Sequence, residues 1–181
     1  GRFVTPAEAG APRRGLRFGV TGDWRGELRP YVGIANAPER DLAFFIQHGD
    51  TVYADIPTPD VPVEQATSLT EYRRKHAEVY SAAHGVNFWA ALRAVTAVFA
   101  TIDDHEVTND FAGGAPVESD ARFTGEPGML LNQTPLYVNG LQAFREYNPT
   151  RMEDYAGTGD ARTDGRPKLY RAQSWGPDAA A

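Results

Sequence analysis

The chain has 181 residues, of which 41% are apolar and 23% are charged, as in an ordinary globular domain with a core. Its 24 acidic and 18 basic residues give a net charge of −6, which disfavours a dedicated nucleic-acid binder because phosphate contacts need clustered Lys and Arg. Cysteine is absent, which excludes disulfides and thiolate metal sites and leaves carboxylates and imidazoles as metal ligands.

The first quarter of the chain predicts two strands with a short helix between them. In residues 16–20 apolar side chains alternate with other residues, and this pattern stops at Gly22-Asp23. It predicts a strand that ends in a turn. Residues 30–37 favour a short helix. The continuous apolar run 42–46 predicts a strand buried on both faces, ending at His48-Gly49-Asp50.

The middle of the chain predicts a loop, two helices and a third strand. Prolines make residues 56–65 a loop. Ser68-Leu69-Thr70-Glu71 has the spacing of a capping box and predicts a helix ending near residue 83. Residues 87–93 predict a short helix with its cap at the first position, and the β-branched segment 94–102 predicts a buried strand.

The last third of the chain contains more loop than regular structure. Gly and Pro make residues 112–128 a long loop. Thr134-Pro135 predicts a helix running to Tyr147. Residues 152–166 are predicted as loop and residues 168–174 as a strand. Strands that alternate with helices predict an α/β layered sheet.

Acidic clusters follow three of the predicted strands. They are Gly22-Asp23, Gly49-Asp50 and the segment 103–106, Asp-Asp-His-Glu. Each cluster alone is more typical of an ordinary turn or helix start. The carboxyl ends of parallel strands meet at one edge of a sheet, however, and carboxylates gathered there need a positive partner. Hard metal ions are the usual one, so the pattern predicts a metal site.

Two of these segments resemble a known family. Residues 49–55 resemble the Gly-Asp-x-x-Tyr-x-Asp signature of calcineurin-like metallophosphoesterases, and residues 103–110 resemble the Asp-Asp-His-Glu-x-x-Asn-Asp block of PhoD-like alkaline phosphatases, relatives of purple acid phosphatases. The resemblance implies a metallophosphoesterase-type αββα sandwich, N-terminal part only. Residues 1–12 would be the tail of a small β domain or a linker, and 13–181 the N-terminal portion of the PhoD-like domain.

The resemblance implies a dinuclear metal centre. Asp50 would bridge the two ions, Tyr53 would bind as a phenolate that favours Fe³⁺, and His105 would contact the phosphate and assist the leaving group. The implied residues are the metal ligands Asp23, Asp50, Tyr53 and Asp104, the catalytic His105, and the supporting Glu106, Asn109 and Asp110.

The metals implied are Fe³⁺ with Ca²⁺, with Mn²⁺ or Zn²⁺ as alternatives. Asp23 stands where PhoD-like enzymes often have a Cys ligand. Since a carboxylate is harder than a thiolate, this departure leaves the choice of metal open.

The other histidines and two arginines receive simpler interpretations. We expect His48 to be a hydrogen-bonded structural residue, His76 to lie on the surface, and His84 to suit the end of a helix. Arg25 and Arg73 are exposed arginines that could contact phosphate, and the sequence assigns the role to neither.

The predicted function is metal-dependent hydrolysis of phosphate esters, monoesters or diesters, by a monomer without a nucleic-acid partner or a transmembrane segment. Family members are usually secreted or periplasmic. No histidine follows His105, so further ligands are expected outside these residues and the 181-residue chain alone is expected to be inactive. The alternatives are a calcium-binding domain and a truncated, inactive product.

Overall fold

The computed structural model describes residues 15–148, 150–151, 153–175 and 179–180; the segment predicted as a β-domain tail or linker lies outside them. The elements in chain order are β1 (Phe18–Thr21), β2 (Phe44–His48), α1 (Leu69–Tyr80), α2 (Phe88–Arg93), β3 (Val98–Thr101), α3 (Pro135–Tyr147), β4 (Ser174–Trp175) and β5 (Ala179–Ala180). β4 and β5 form a short antiparallel pair.

Strands β1, β2 and β3 form one parallel sheet in that order. Val20 pairs with Ile46, which pairs with Phe99, so the three strands end at the same edge. Helices lie between strands β2 and β3 in the chain, as parallel connections require. The predicted α/β class with a parallel sheet is confirmed.

The sheet has one face that packs on helices. Phe45 lies on it and contacts Trp89 of α2, with ring centroids 5.9 Å apart. Trp89 in turn packs edge-on against Trp24, in the loop after β1. On the opposite face, Phe18 and Val20 are half exposed. A second apolar cluster lies between α1 and α3, with Tyr72 and Phe144 among its buried members.

Helix α1 begins as the sequence predicts. The Ser68 hydroxyl accepts a hydrogen bond from the Glu71 N–H at 3.3 Å, and the Glu71 carboxylate accepts one from the Ser68 N–H at 2.9 Å. The capping box is confirmed. The helix ends at Tyr80 instead of residue 83, because Ser81 has extended backbone and residues 83 and 86 pair in a turn.

One predicted helix is divided into two short turns. Residues 30–37 form no α-helix, since they are divided between the 3-10 turns Val32–Ile34 and Ala37–Glu39. Gly33 has low helix propensity and Pro38 donates no hydrogen bond. The prediction of a single helix over residues 30–37 was wrong.

Two predicted strands are also shorter than expected. Strand β3 occupies only part of 94–102, because Ala94 and Thr96 complete the end of α2, the Thr96 N–H donating to the Leu92 carbonyl at 2.9 Å. In the predicted strand 168–174, the described residues pair as a strand only from Ser174 onward. The Lys168 N–H instead donates to the Glu153 carbonyl, 2.7 Å away, in the preceding loop.

No helix in the described part of the chain is both long enough and apolar enough to cross a membrane.

His76 is buried, so its predicted surface position was wrong. The sequence neighbours Arg74 and Lys75 suggested a polar face, but residue 76 lies on the inner side of α1. Its ring stacks between Tyr80 and Tyr147, with centroids 6.4 and 5.1 Å away. The pKa of His76 is lowered to about 3. Burial is the main cause and the charge of Arg93 contributes, whereas the charge of Glu146 acts in the opposite direction.

We predict that His76 makes the protein acid-sensitive. The unfolded chain binds a proton at His76 below about pH 6.5 and the folded chain does not, so stability falls between pH 6.5 and about 3. The loss reaches about 2 kcal/mol at pH 5. Denaturant titrations of wild type and His76→Phe at pH 7 and pH 5 measure it, and the variant should show a smaller loss. Equal pH dependence in both proteins would contradict the assignment.

Candidate metal centre

The site is built at the carboxyl edge of the sheet, where the loops after β1, β2 and β3 converge. Asp23 follows β1, Asp50 follows β2, and Asp104 follows β3. The backbone also joins the first two loops, since the Trp24 N–H donates to the Asp50 carbonyl at 2.8 Å. The structure therefore brings together the acidic clusters that the sequence placed at three strand ends.

Tyr53 connects two of the carboxylates. Its hydroxyl lies 2.7 Å from Asp23 Oδ1 and 3.0 Å from Asp50 Oδ2. The single phenolic proton can be donated to one of them at a time. Burial raises the pKa of Tyr53 above its ordinary value, and the hydrogen bond to Asp23 and the charge of Asp50 raise it further. Without a cation, the proton on Tyr53 lies between the two acids.

A second group consists of Asp50, Asp104 and His105. One potential ligand atom from each lies within 4.8 Å of the others. Asp50 Oδ1 is buried and has no hydrogen-bond partner among the described residues. Burial raises the pKa of Asp50, and the nearby charges of Asp104 and Asp103 also raise it, although Tyr53 and His105 act in the opposite direction.

Asp50 belongs to both groups of potential ligands. Its Oδ2 accepts from the Tyr53 hydroxyl, and one of its oxygens lies within 4.8 Å of potential ligand atoms of Asp104 and His105. Carboxylate, phenol and imidazole donors suit hard or borderline cations. The unsatisfied oxygen of Asp50 is also what a cation would satisfy. The residues present fit a metal ion, with Asp50 placed where a carboxylate could contact two.

Three residues around the site have left-handed backbone. The φ angles are +63° at Asp23, +46° at Asp50 and +52° at Asp110. Such angles are uncommon outside glycine, although Asp tolerates them better than most residues. Backbone strain of this kind clusters at functional sites, where the surrounding structure must hold it in place.

Asp55 is a site residue to which the sequence assigned no role. Its Oδ1 lies 2.7 Å from His105 Nδ1, and its Oδ2 accepts a hydrogen bond from the Asn109 N–H at 2.7 Å. Asp55 is the last residue of the Gly-Asp-x-x-Tyr-x-Asp segment. Its place in that segment is the feature of the sequence that could have identified it as a site residue. The contact occupies Nδ1 and leaves His105 Nε2 as the ring nitrogen able to act on another group.

The environment of His105 favours its charged form. Burial lowers the pKa of His105, but the hydrogen bond and charge of Asp55, with the charges of Asp50 and Asp104, raise it by more. The imidazole also stacks on the Tyr53 ring, with centroids 4.1 Å apart. Contacts to Asp55 and Tyr53 thus fix both the tilt and the rotation of the ring.

The segment after β3 is folded around Asp104. Its Oδ1 accepts from the His105 N–H at 3.0 Å, and its Oδ2 accepts from the Asp110 N–H at 2.5 Å. The Asn109 side chain donates to Asp110 Oδ2 at 2.8 Å. Arg122, in the Gly-rich loop, donates to the Asn109 carbonyl at 2.6 Å. Asn109 and Asp110 shape the loop that carries Asp104 and His105.

Glu106 links the ends of two strands from inside the protein. Its side chain is buried, and its two oxygens accept from the Thr51 N–H at 2.5 Å and the Asp103 N–H at 2.8 Å. Burial raises the pKa of Glu106 to about 7, although these hydrogen bonds act to lower it. The carboxylate thus joins the loop containing Asp50 to the loop containing Asp104.

The remaining candidate residues lie away from the two ligand groups or are paired. Arg73 makes two hydrogen bonds to Glu146, both 2.7 Å, which joins α1 to α3. Arg25 pairs with Glu27 and lies 6.0 Å from the centroid of the Tyr53 ring. The expected structural role of His48 is not observed: it is exposed and makes no side-chain hydrogen bond in the described part of the chain.

Two comparisons with known proteins found similarities to this chain. The model of the PhoD-like phosphatase family matches residues 22–180. A solved structure of PhoD is similar to this one with a TM-score of 0.67 and 20% sequence identity. The match covers 96% of this chain and 31% of that one, so the chain spans less than a third of that protein. A search of curated proteins found no match. The structural likeness confirms the predicted fold class.

We predict that Glu106→Gln destabilises the protein. An amide has one oxygen, so its NH₂ group must face one of the two backbone N–H donors, and a buried donor without an acceptor costs about 1–3 kcal/mol. Glu64→Gln makes the same chemical change at an exposed position and should cost less than about 0.5 kcal/mol. Thermal unfolding of both variants measures the difference, and equal midpoints would rule out the linking role of Glu106.

Proposed function

The chain belongs to the PhoD-like phosphatase family, and from this we propose that it forms part of an enzyme that hydrolyses phosphate esters at a dinuclear metal centre. The observation that carries the proposal is the position of Asp50, which lies within reach of both Tyr53–Asp23 and Asp104–His105. In this proposal residues 13–181 are the N-terminal portion of the metallophosphatase domain.

The metal ligands we propose are Asp23, Asp50, Tyr53 and Asp104. Asp50 would contact both cations, Tyr53 and Asp23 would hold one of them, and Asp104 would hold the other. Cations bound there supply Lewis acidity toward the phosphoryl group and an activated water. We propose Fe³⁺ with Ca²⁺, because a phenolate favours a trivalent ion; Mn²⁺ and Zn²⁺ are the alternatives. Further ligands would come from outside these residues.

His105 has the contacts that a general acid needs. Asp55 accepts a hydrogen bond from Nδ1–H and stabilises the imidazolium, which leaves Nε2–H free to donate a proton. The leaving oxygen of an ester carries developing negative charge, so a proton delivered from Nε2 lowers the barrier to its departure. Stacking on Tyr53, with ring centroids 4.1 Å apart, fixes the plane of the imidazole. His105 therefore serves as proton donor, and Asp55 orients it.

The substrate class in this proposal is a small-molecule phosphate ester, either monoester or diester, handled by a monomer in the periplasm or outside the cell. The test uses the complete protein: chelation should abolish turnover of a chromogenic phosphate ester, and added metal should restore it. Turnover that survives complete metal removal would overturn the proposal.

We predict that Asp50→Asn loses more metal than Asp104→Asn. Asp50 would contact both ions, so removing its charge weakens both sites, whereas Asp104 would contact one ion and an amide oxygen can still bind a cation there. Metal content per protein after dialysis, measured by elemental analysis, should be near zero for Asp50→Asn and intermediate for Asp104→Asn. The reverse order would show that Asp50 is not the bridge.

We predict that Tyr53 gives the iron-loaded protein a visible colour. A tyrosine is protonated at pH 7, but a trivalent cation beside its oxygen inverts the order of titration, and ferric phenolates absorb visible light. The Tyr53→Phe variant, loaded with iron in the same way, should lose the band. A colourless wild type, or a band unchanged in Tyr53→Phe, would exclude Tyr53 as an iron ligand.

A further inference from the structure

Lys75 is a buried lysine that the proposed chemistry does not use directly. It lies on α1 with only 2% of its surface exposed, and lysine is almost never buried to this extent without a partner. Its ammonium donates a hydrogen bond to the Ile56 carbonyl. Burying a cation costs free energy, so the hydrogen bond to the Ile56 carbonyl must offset part of this cost.

Helix α1 does not need a lysine at this position. The inward side of the helix is lined by Tyr72, His76 and Val79, and an apolar residue at position 75 would continue it. The adjacent Arg74 is exposed and donates to the Asp60 carbonyl at 2.8 Å, as a cation on a helix surface ordinarily does. The cationic group of Lys75 is instead directed into the protein, to the loop that follows β2.

The carbonyl that Lys75 contacts belongs to the residue after Asp55. The residue before it, Ala54, is also fixed: its N–H donates to the His105 carbonyl at 2.9 Å, and its carbonyl accepts from Ala66 at 2.8 Å. The backbone is therefore held on both sides of Asp55, on one side by main-chain hydrogen bonds and on the other by Lys75. The Asp55 carboxylate then reaches His105 Nδ1.

Charge supports the same assignment. Burial lowers the pKa of Lys75, while the acidic groups of Glu78, Glu27 and Asp55 act to raise it and Arg25 to lower it. Since Asp55 is among the charges that act on Lys75, the ammonium lies within electrostatic reach of the carboxylate beside the Ile56 carbonyl.

We propose that Lys75 is a positioning residue: it holds the backbone at Ile56 so that Asp55 orients His105 toward the leaving group. The inference rests on the proposed function for its catalytic consequence. Lys75 itself touches neither the ligand groups nor the place of the substrate. Lys75 acts on His105 through two hydrogen bonds. Lys75 donates the first to the Ile56 carbonyl, and the second joins the Asp55 carboxylate to His105 Nδ1.

The test compares two phosphate esters in the complete protein. An aryl ester such as 4-nitrophenyl phosphate has a good leaving group and needs little help from an acid, whereas an alkyl phosphate needs a proton. In Lys75→Met, kcat should fall about tenfold for the alkyl ester and less than about twofold for the aryl ester, with KM unchanged. Lys75→Arg should restore much of the loss, and Arg74→Met should leave both rates unchanged.

A double-mutant cycle separates positioning from general loss of structure. Asp55→Asn should show the same selective loss, and combining it with Lys75→Met should add little, because both act through His105. Losses that are equal for the two esters, or that multiply in the double variant, would overturn the proposal. Should Lys75→Met unfold, Lys75→Gln carries the same comparison, since its shorter side chain loses the contact with the Ile56 carbonyl but keeps a polar end.

A readout independent of turnover is the tautomer of His105. At an alkaline pH where the ring is neutral, ¹⁵N chemical shifts should show the proton on Nδ1 in wild type and a mixture in Lys75→Met. If the wild type hydrolyses neither ester, the proposed function fails, and the chemical shifts still decide the role of Lys75. Unchanged shifts in Lys75→Met would show that Lys75 does not orient His105.

Discussion

Repulsion among the carboxylates of Asp23, Asp50 and Asp104 is the constraint that shapes this end of the protein. The three strands end in register at one edge, so their acidic residues are brought together by the sheet itself. Like charges at such separations disfavour one another's ionised forms. Burial raises the pKa of Asp50, and the charges of Asp104 and Asp103 raise it further. Whatever surrounds these groups must supply positive charge or donated protons.

The protein supplies such groups in layers. Closest to the acids are the Tyr53 hydroxyl and the His105 imidazole, and the rings of these two residues stack on one another. Behind them, backbone N–H groups from the segment after β3 donate to Asp104, and Asp55 and Glu106 hold that segment against the loop after β2. Each layer fixes the one in front of it. Preorganised dipoles of this kind need no rearrangement when charge develops on a substrate.

Much of this arrangement could be predicted from the sequence because it depends on local patterns. Apolar runs that end in acids gave the strands of the sheet and placed Asp23, Asp50 and Asp104 at one edge, and the capping box gave the start of α1. What the sequence could not show is which polar residues face inward. His76 and Lys75 lie in a run of charged residues, where local composition predicts solvent, yet tertiary packing buries both.

Contacts between distant segments were also beyond sequence reasoning. Asp55 and His105 are 50 residues apart, and neither hydropathy nor spacing indicates that their side chains meet. The shortened strand β3 has a similar cause, since residues that favour a strand were used to complete the end of α2. Propensity is a weak guide wherever a hydrogen bond to another element decides the backbone.

The left-handed backbone at Asp23, Asp50 and Asp110 has a consequence for protein engineering. Glycine adopts these φ angles without the steric cost that a Cβ atom brings, so a library screened only for heat resistance should drift toward glycine at these positions. Each such gain would delete a carboxylate from the cluster or from the loop that holds it. Directed evolution of this protein therefore requires a selection that retains these carboxylates alongside selection for stability, because the two pressures act in opposite directions on the same three codons.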